Sequence, residues 1–171
     1  MGEISFEGHF RAGVITASDK GSIGERQDLS GPAIRDIIEP AGYEVISLKV
    51  LADEEESIYQ EIVRLADEEK VDVIFTTGGT GLSPRDHTPE ATMRAATKNV
   101  PGIAEAIRAY SLTITPRAML SRAVSVMRNR TLIINLPGSP KAVKESLAYI
   151  LPTLFHGIEI MKGEAGECAR K

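Results

Sequence analysis

Cysteine is all but absent from this chain of 171 residues: Cys168 is the only one. That excludes an intramolecular disulfide framework and any cysteine-based zinc site, and it suits a reducing cytoplasm. Excess charge of one sign is also missing. Twenty Lys plus Arg face 24 Asp plus Glu, a formal charge of −4. The surface as a whole therefore has no strong pull on nucleic acid or anionic lipid, and any bound anion must be held locally. The opening MGEISFEGHF has two acids and no long apolar run, so these residues lack the charged and apolar regions of a secretory signal. Phe6 stands where a Gly2 myristoylation motif needs Ser or Thr. No export, anchor or membrane span is expected. Repeats and low-complexity stretches are missing, and His9 and His156 lack any recognisable metal-ligand spacing.

What is present is ordinary globular material, 42% hydrophobic and 26% charged, in a length that supports one packed core. Short β-branched runs alternate with segments of helical period, which reads as an α/β fold. Strands are expected at residues 12–17, 44–50, 71–75 and 131–136, the third being the nearly continuous apolar run of a parallel strand covered on both faces. Ser30 and Pro32 open a helix bearing Ala33, Ile34, Ile37 and Ile38, with Gly42 as its stop. Residues 54–69 carry Ile58, Ile62, Leu65 and Ala66 on one stripe. Further helices are expected at 89–97 and 101–112. Ser139 and Pro140 open a long last helix that Pro152 should kink. The expected fold is a doubly wound, mainly parallel sheet with helices on both faces. It occupies residues 12–162, between an N-terminal extension (1–11) and a polar tail (163–171). Ligands of such sheets bind outside the carboxyl ends of the strands. The informative loops are then 18–31, 51–53, 76–88 and 137–141.

In the third of these loops Gly78, Gly79 and Gly81 surround Thr80, so the backbone can curl and aim several N–H groups at one anion. GGTG is neither a Walker A motif nor a dinucleotide fingerprint, and by itself it is equally a tight strand-to-helix turn. The continuation SPRDHTPE sets Asp86 beside the glycines. An acid next to bound phosphates calls for a cation, and Mg²⁺ favours one or two carboxylates with phosphate oxygens and water. Asp53 offers the second acid, although Asp53 with Glu56 also reads as a helix cap. Another strand-to-helix crossing runs from Asn135 through Gly138 and Ser139 to Lys141. Lys141 and Lys144 near a positive helix end are either solvated or facing an anion.

The segments TTGGTGLSPRDHTPEAT, ITPRAMLSR and TLIINLPGSPKAV, with DLSGP at residues 28–32 and ADEE around Asp53, closely resemble the molybdopterin adenylyltransferases of molybdenum cofactor synthesis, including the similar domain of gephyrin. The resemblance spans about residues 12–161. It implies that the terminal phosphate of molybdopterin attacks the α-phosphate of ATP with Mg²⁺ assisting, giving adenylylated molybdopterin and pyrophosphate, usually in a homotrimer. On that basis Asp53 and Asp86 are the catalytic and metal-binding acids. Gly78, Gly79, Thr80, Gly81, Asn135, Gly138 and Ser139 are the nucleotide side. Ser18, Asp28, Ser30, Ser111 and Lys141 are the pterin side. His87 falls where the family often has Val, and it is left out because the attacking phosphate is already ionised near neutral pH. A separate molybdenum-insertion protein is the expected downstream partner. Two other functions stay open at this level, a pterin-binding homologue without transferase activity and a trimeric scaffold. The family's non-catalytic sister group departs at the pair Arg85–Asp86, which this chain retains.

Overall fold

Nearly continuous buried runs along the central strands, with helices returning over both faces, produce a three-layer arrangement. The computed structural model describes residues 9–164. Residues 1–8 and 165–171, with Cys168 and most of the expected tail, lie outside the described residues. In chain order come β1 (Phe10–Ala17), α1 (Asp19–Ser22), α2 (Ser30–Ile38), β2 (Tyr43–Leu51), α3 (Glu55–Val63), β3 (Val73–Thr77), α4 (Thr88–Ala95), β4 (Lys98–Asn99), α5 (Pro101–Leu112), β5 (Ser125–Arg128), β6 (Thr131–Leu136) and α6 (Pro140–Lys162).

The sheet runs β2-β1-β3-β6-β5-β4. Its first four strands are parallel, whereas β5 pairs antiparallel with β6 and β4 with β5. The doubly wound, mainly parallel expectation therefore holds, with an antiparallel edge that it did not include. Asn129 turns the two-residue link between β5 and β6 with a φ of 51°. Its short polar side chain tolerates that left-handed backbone, so the hairpin forms without the Asn-Gly pair that marks the commonest tight turns. One face of the sheet, with Val14, Phe75 and Ile134, packs on α2, α5 and α6. The other, with Ile15, Ile74 and Ile133, packs on α3 and α4.

Several boundaries differ from the sequence reading for local reasons. β1 begins at Phe10, two residues inside the expected extension. β3 spans Val73–Thr77 because Thr76 and Thr77 continue the ladder to both β1 and β6. Residues 18–31 are not all loop, since Ser18 accepts the Gly21 N–H and starts the single turn of α1. Ser30 is not the cap of α2. The N-cap position is Leu29, which makes no side-chain bond, and Asp28 just before it serves instead, its Oδ1 accepting the N–H groups of both Ser30 and Gly31 at 3.1 Å. α6 opens as expected, with Ser139 Oγ accepting the Ala142 N–H, and it continues past Pro152 to Gly163, whose φ of 77° ends it.

Candidate active site

Parallel pairing brings the carboxyl ends of β1, β2, β3 and β6 to one edge, and the four crossings that leave it are laced together by side chains. After β1, the Asp19 N–H donates to Asp53 Oδ2 at 2.9 Å. The Asp53 N–H returns a bond to Asp19 Oδ1, also 2.9 Å. Asp53 is thus turned toward α1 and does not cap α3, whose N-cap position is Glu54 without a side-chain bond. Ser30 Oγ donates to the Gly138 carbonyl at 2.7 Å, and Thr77 Oγ1 to the Pro137 carbonyl at 2.6 Å. These two bonds hold the β6–α6 crossing against the crossings from β1 and β3.

The glycine loop sits at the centre. Gly78 and Gly79 have φ of 85° and 68°, a region that favours glycine. A Cβ on Gly78 would also stand 2.5 Å from the Ala17 carbonyl oxygen, so the loop lies directly on the end of β1. Thr88, fully buried at the start of α4, donates through Oγ1 to the Gly78 carbonyl and through its N–H to that of Gly79. Arg122 clasps the outer part of the loop, donating to the carbonyls of Gly81 at 2.7 Å and Asp86 at 2.9 Å and pairing with Glu90.

The acids flank this loop. A Cβ on Gly79 would lie 3.3 Å from Asp53 Oδ1, and one on Gly81 would lie 2.9 Å from Asp86 Oδ2. Burial pushes the Asp53 carboxyl above its usual range, and the negative charges of Asp19 and Asp86 push the same way against the bond from Asp19 and the charge of Arg85. Asp19 moves down instead, because Arg85 forks onto both of its oxygens at 3.0 and 2.9 Å. Arg85 also reaches Glu54 at 2.8 Å. In each flanking acid one oxygen is occupied, Asp53 Oδ2 by Asp19 and Asp86 Oδ2 by the Ser83 N–H, while Oδ1 accepts nothing from the described residues. Among the described residues no group of three or more His, Cys, Asp or Glu is placed to hold a metal. Two hard carboxylate donors with free oxygens beside a loop kept clear of side chains fit Mg²⁺ whose remaining ligands are phosphate oxygens and water.

Ser18, Asp28, Ser30, Gly78, Gly138 and Ser139 line one cleft of about 590 Å³, with Arg26 and Gln27 at its side. Thr80, Gly81 and Ser111 line a second of about 290 Å³, with Arg108 and Arg117. Gly138 borders both. Gly79, Asp53 and Asp86 line neither cleft and belong to the glycine loop and its flanks, and two further expected residues stand apart from loop and clefts alike. Lys141 is exposed on the first turn of α6 and lines neither cleft. Asn135 is fully buried: its amide donates to Thr76 Oγ1 and Thr92 Oγ1, both at 2.9 Å, and its oxygen accepts the Val124 N–H. It joins β6 to β3 and α4 and, with no exposed surface, lines neither cleft. Conversely, the sequence reading does not single out Asp19 or Arg122, or give Arg85 a structural role. Their roles come from partners 34, 41 and 66 positions away, and the only local signal is adjacency to Ser18 and Asp86.

The family model described as a probable molybdopterin binding domain matches residues 13–156, nearly the whole sheet and its helices. The chain belongs to this family. A Helicobacter pylori (strain J99) protein named molybdopterin adenylyltransferase is 39% identical over 153 residues, 88% of this chain and 87% of the relative. Gephyrin of Dictyostelium discoideum is 43% identical over 162 residues, covering 89% of this chain but 22% of that much longer protein. Among solved structures, the molybdopterin biosynthesis enzyme MoaB of Thermus thermophilus superposes with a TM-score of 0.86 at 47% identity, covering 92% of this chain and 99% of that one. Family membership therefore extends over the segment that carries both acids, the glycine loop and both clefts.

Proposed function

We propose that this chain is a molybdopterin adenylyltransferase of molybdenum cofactor biosynthesis, and that the site described above performs the transfer. The observation that carries the reading is the placement of Asp53 beside Gly79 and Asp86 beside Gly81 of the same loop, each with a free Oδ1. The relatives named for this activity, 39% identical in Helicobacter pylori and 41% in Escherichia coli K12, support it. A terminal phosphate oxygen of molybdopterin attacks the α-phosphorus of ATP. The new P–O bond forms as the bond to the bridging oxygen between the α- and β-phosphates breaks, and pyrophosphate leaves with that oxygen and its electron pair. Such a reaction needs alignment and charge neutralisation more than covalent help.

The site supports the following division of labour. The glycine loop presents backbone N–H groups to the nucleotide phosphates. Gly138 and Ser139, at the start of the 23-residue α6, add the positive end of a long helix. Asp53 and Asp86 would hold Mg²⁺, which when bound neutralises charge on the transferring phosphoryl group and the leaving pyrophosphate. The cleft with Ser18, Asp28 and Ser30 and the one with Ser111 adjoin at Gly138, so two substrates can meet beside the loop.

Purified chain, molybdopterin, ATP and Mg²⁺ should yield the AMP adduct and pyrophosphate by mass analysis. An ATP analogue blocked between the α- and β-phosphates should bind without reacting, whereas one blocked only between β and γ should still transfer AMP. Pterin binding without adduct, with active controls, replaces the enzyme by a binding module. The product would pass to a molybdenum-insertion protein in the reducing cytoplasm. We also propose a homotrimer, supported by the family and by an apolar groove of about 610 Å³ between α5 and α6, lined by Ile103, Ala106, Tyr149 and Leu154. Exposed Leu112 ends α5, and exposed Ile114, Met119 and Leu120 lie just beyond it. Light scattering should give three times the chain mass across a tenfold dilution, and a monomer throughout defeats the trimer.

A further inference from the structure

The acids of the site approach the glycine loop from separate crossings, so something must set one acid against the other. Asp53 follows β2 and Asp86 follows β3, and two negative charges on facing flanks repel. One network joins their segments. The Asp19 and Asp53 N–H groups each donate to the other residue's carboxylate at 2.9 Å, which fixes the Asp53 side chain by its Oδ2 and leaves Oδ1 toward the loop. Asp19 would add a third negative charge here, but Arg85 grips both of its oxygens and Glu54 as well. Arg85 is the residue before Asp86. The peptide that carries Asp86 is therefore bolted to the two crossings that orient Asp53, and the Ser83 N–H then holds Asp86 Oδ2.

We propose that Asp19 and Arg85 are positioning residues, a latch across three loops that sets the Asp53 carboxylate at a working separation from Asp86. The metal role of the two acids rests on the function proposed above, and the latch acts through them without itself touching the reacting atoms. The Arg85 pairs are surface pairs, with side chains 49%, 42% and 54% exposed. Such pairs add little to global stability. Their effect is local: misplacement of a catalytic group by about 1 Å can cost up to about 100-fold in rate.

The test compares wild type with Arg85→Gln, Arg85→Lys, Asp19→Asn and the double variant Asp19→Asn/Arg85→Gln. It measures kcat, KM for ATP and the Mg²⁺ concentration for half-maximal rate. Separately, it measures the affinity of the substrate-free protein for Mn²⁺ by electron paramagnetic resonance. Arg85→Gln should lower kcat about tenfold, leave KM for ATP within about twofold, and weaken the Mg²⁺ and Mn²⁺ responses several-fold, with the melting temperature unchanged. Arg85→Lys should recover part of the loss, because an ammonium group keeps the charge but cannot fork onto Asp19. The double variant should be no worse than the poorer single one, as expected of residues in one network. A wild-type kcat and Mn²⁺ affinity in Arg85→Gln would overturn the latch, as would single losses that multiply in the double variant. If wild type itself makes no adduct, the proposed function fails, and the Mn²⁺ affinities still decide the latch. Arg85 lies on an exposed loop, so its variants serve even if Asp19→Asn does not fold.

Discussion

Glu61 on α3 and Asp53 at the end of β2 are both acids that burial pushes toward the neutral form, yet they end on opposite sides of their ordinary ranges. Glu61 is 8% exposed at its side chain and is gripped by Arg64 at 2.8 Å and Lys49 at 2.9 Å, which together outweigh burial and hold its carboxyl below 4.5. Asp53 has no cation in contact among the described residues. Burial wins there, helped by the charges of Asp19 and Asp86, and its carboxyl rises above 3.8. The first cluster supplies its own counter-charge, as a structural ion pair should. The second leaves negative charge uncompensated beside a glycine loop, a state that an incoming cation would relieve. Perturbation alone does not mark a functional acid; lack of a contacting counter-charge does so better.

The largest expected effect is on the uncompensated side. Asp86→Asn should lower AMP transfer by about 100-fold or more, the scale seen when one preorganised charge-stabilising group is lost, with an unchanged melting temperature. Retention of most activity, assayed by pyrophosphate release, would remove Asp86 from the chemistry. Asp53→Asn should also abolish most transfer but should raise the melting temperature slightly at neutral pH, because it deletes a charge that folding partly dehydrates. A fall in stability would mean that the Asp19–Asp53 bonds matter more than the charge.

On the compensated side the signs reverse. Glu61→Gln should cost about 2 kcal/mol, or about 4–8 °C in melting temperature for a chain of this size, while activity per folded molecule stays at wild type. Its pH dependence is defined by linkage. A carboxyl depressed by folding contributes stability that is full above its unfolded value of 4.5 and is lost as pH falls through the lower folded value. The gap between wild type and Glu61→Gln in urea melts should therefore shrink on acidification below 4.5. A gap independent of pH would place the cost in packing. The smallest effect belongs to a fully surface pair, Arg35 with Asp36, whose side chains are 44% and 64% exposed. Arg35→Gln should change stability by less than about 1 kcal/mol, and added salt should remove even that.

Much of the architecture was legible because apolar period is a local property. Val73, Ile74 and Phe75 are a buried run in any reading, and Ser139-Pro140 is a helix start that needs no partner to recognise. The glycine loop and the two acids were legible as well, since their motif is contiguous or ends a strand. The β4–β5 edge was not. Lys98–Asn99 is two exposed residues, and Ser125–Arg128 turns on Asn129 in a link without glycine. The burial of Asn135 and the failure of the capping role expected of Asp53 have a related cause. Both look like loop-end polar residues in sequence, but hydrogen-bond satisfaction depends on what the other chain segments supply.

By itself the sequence determined which segments become the four parallel strands and the longer helices, that those strands are covered on both faces, and that Gly78, Gly79, Asp53 and Asp86 meet at one edge, because parallel α/β connections send every strand's carboxyl end the same way. Only the tertiary structure decided which polar groups are consumed and which are left over. Asn135 commits its whole amide between the sheet and α4, Asp28 supplies the bonds expected of Ser30 at the start of α2, and Asp19 with Arg85 ties the two acid-bearing loops together. The physical reason is that a side chain's periodicity is set by its neighbours in sequence. Its hydrogen bonds and its charge balance are set by groups that folding brings from dozens of residues away.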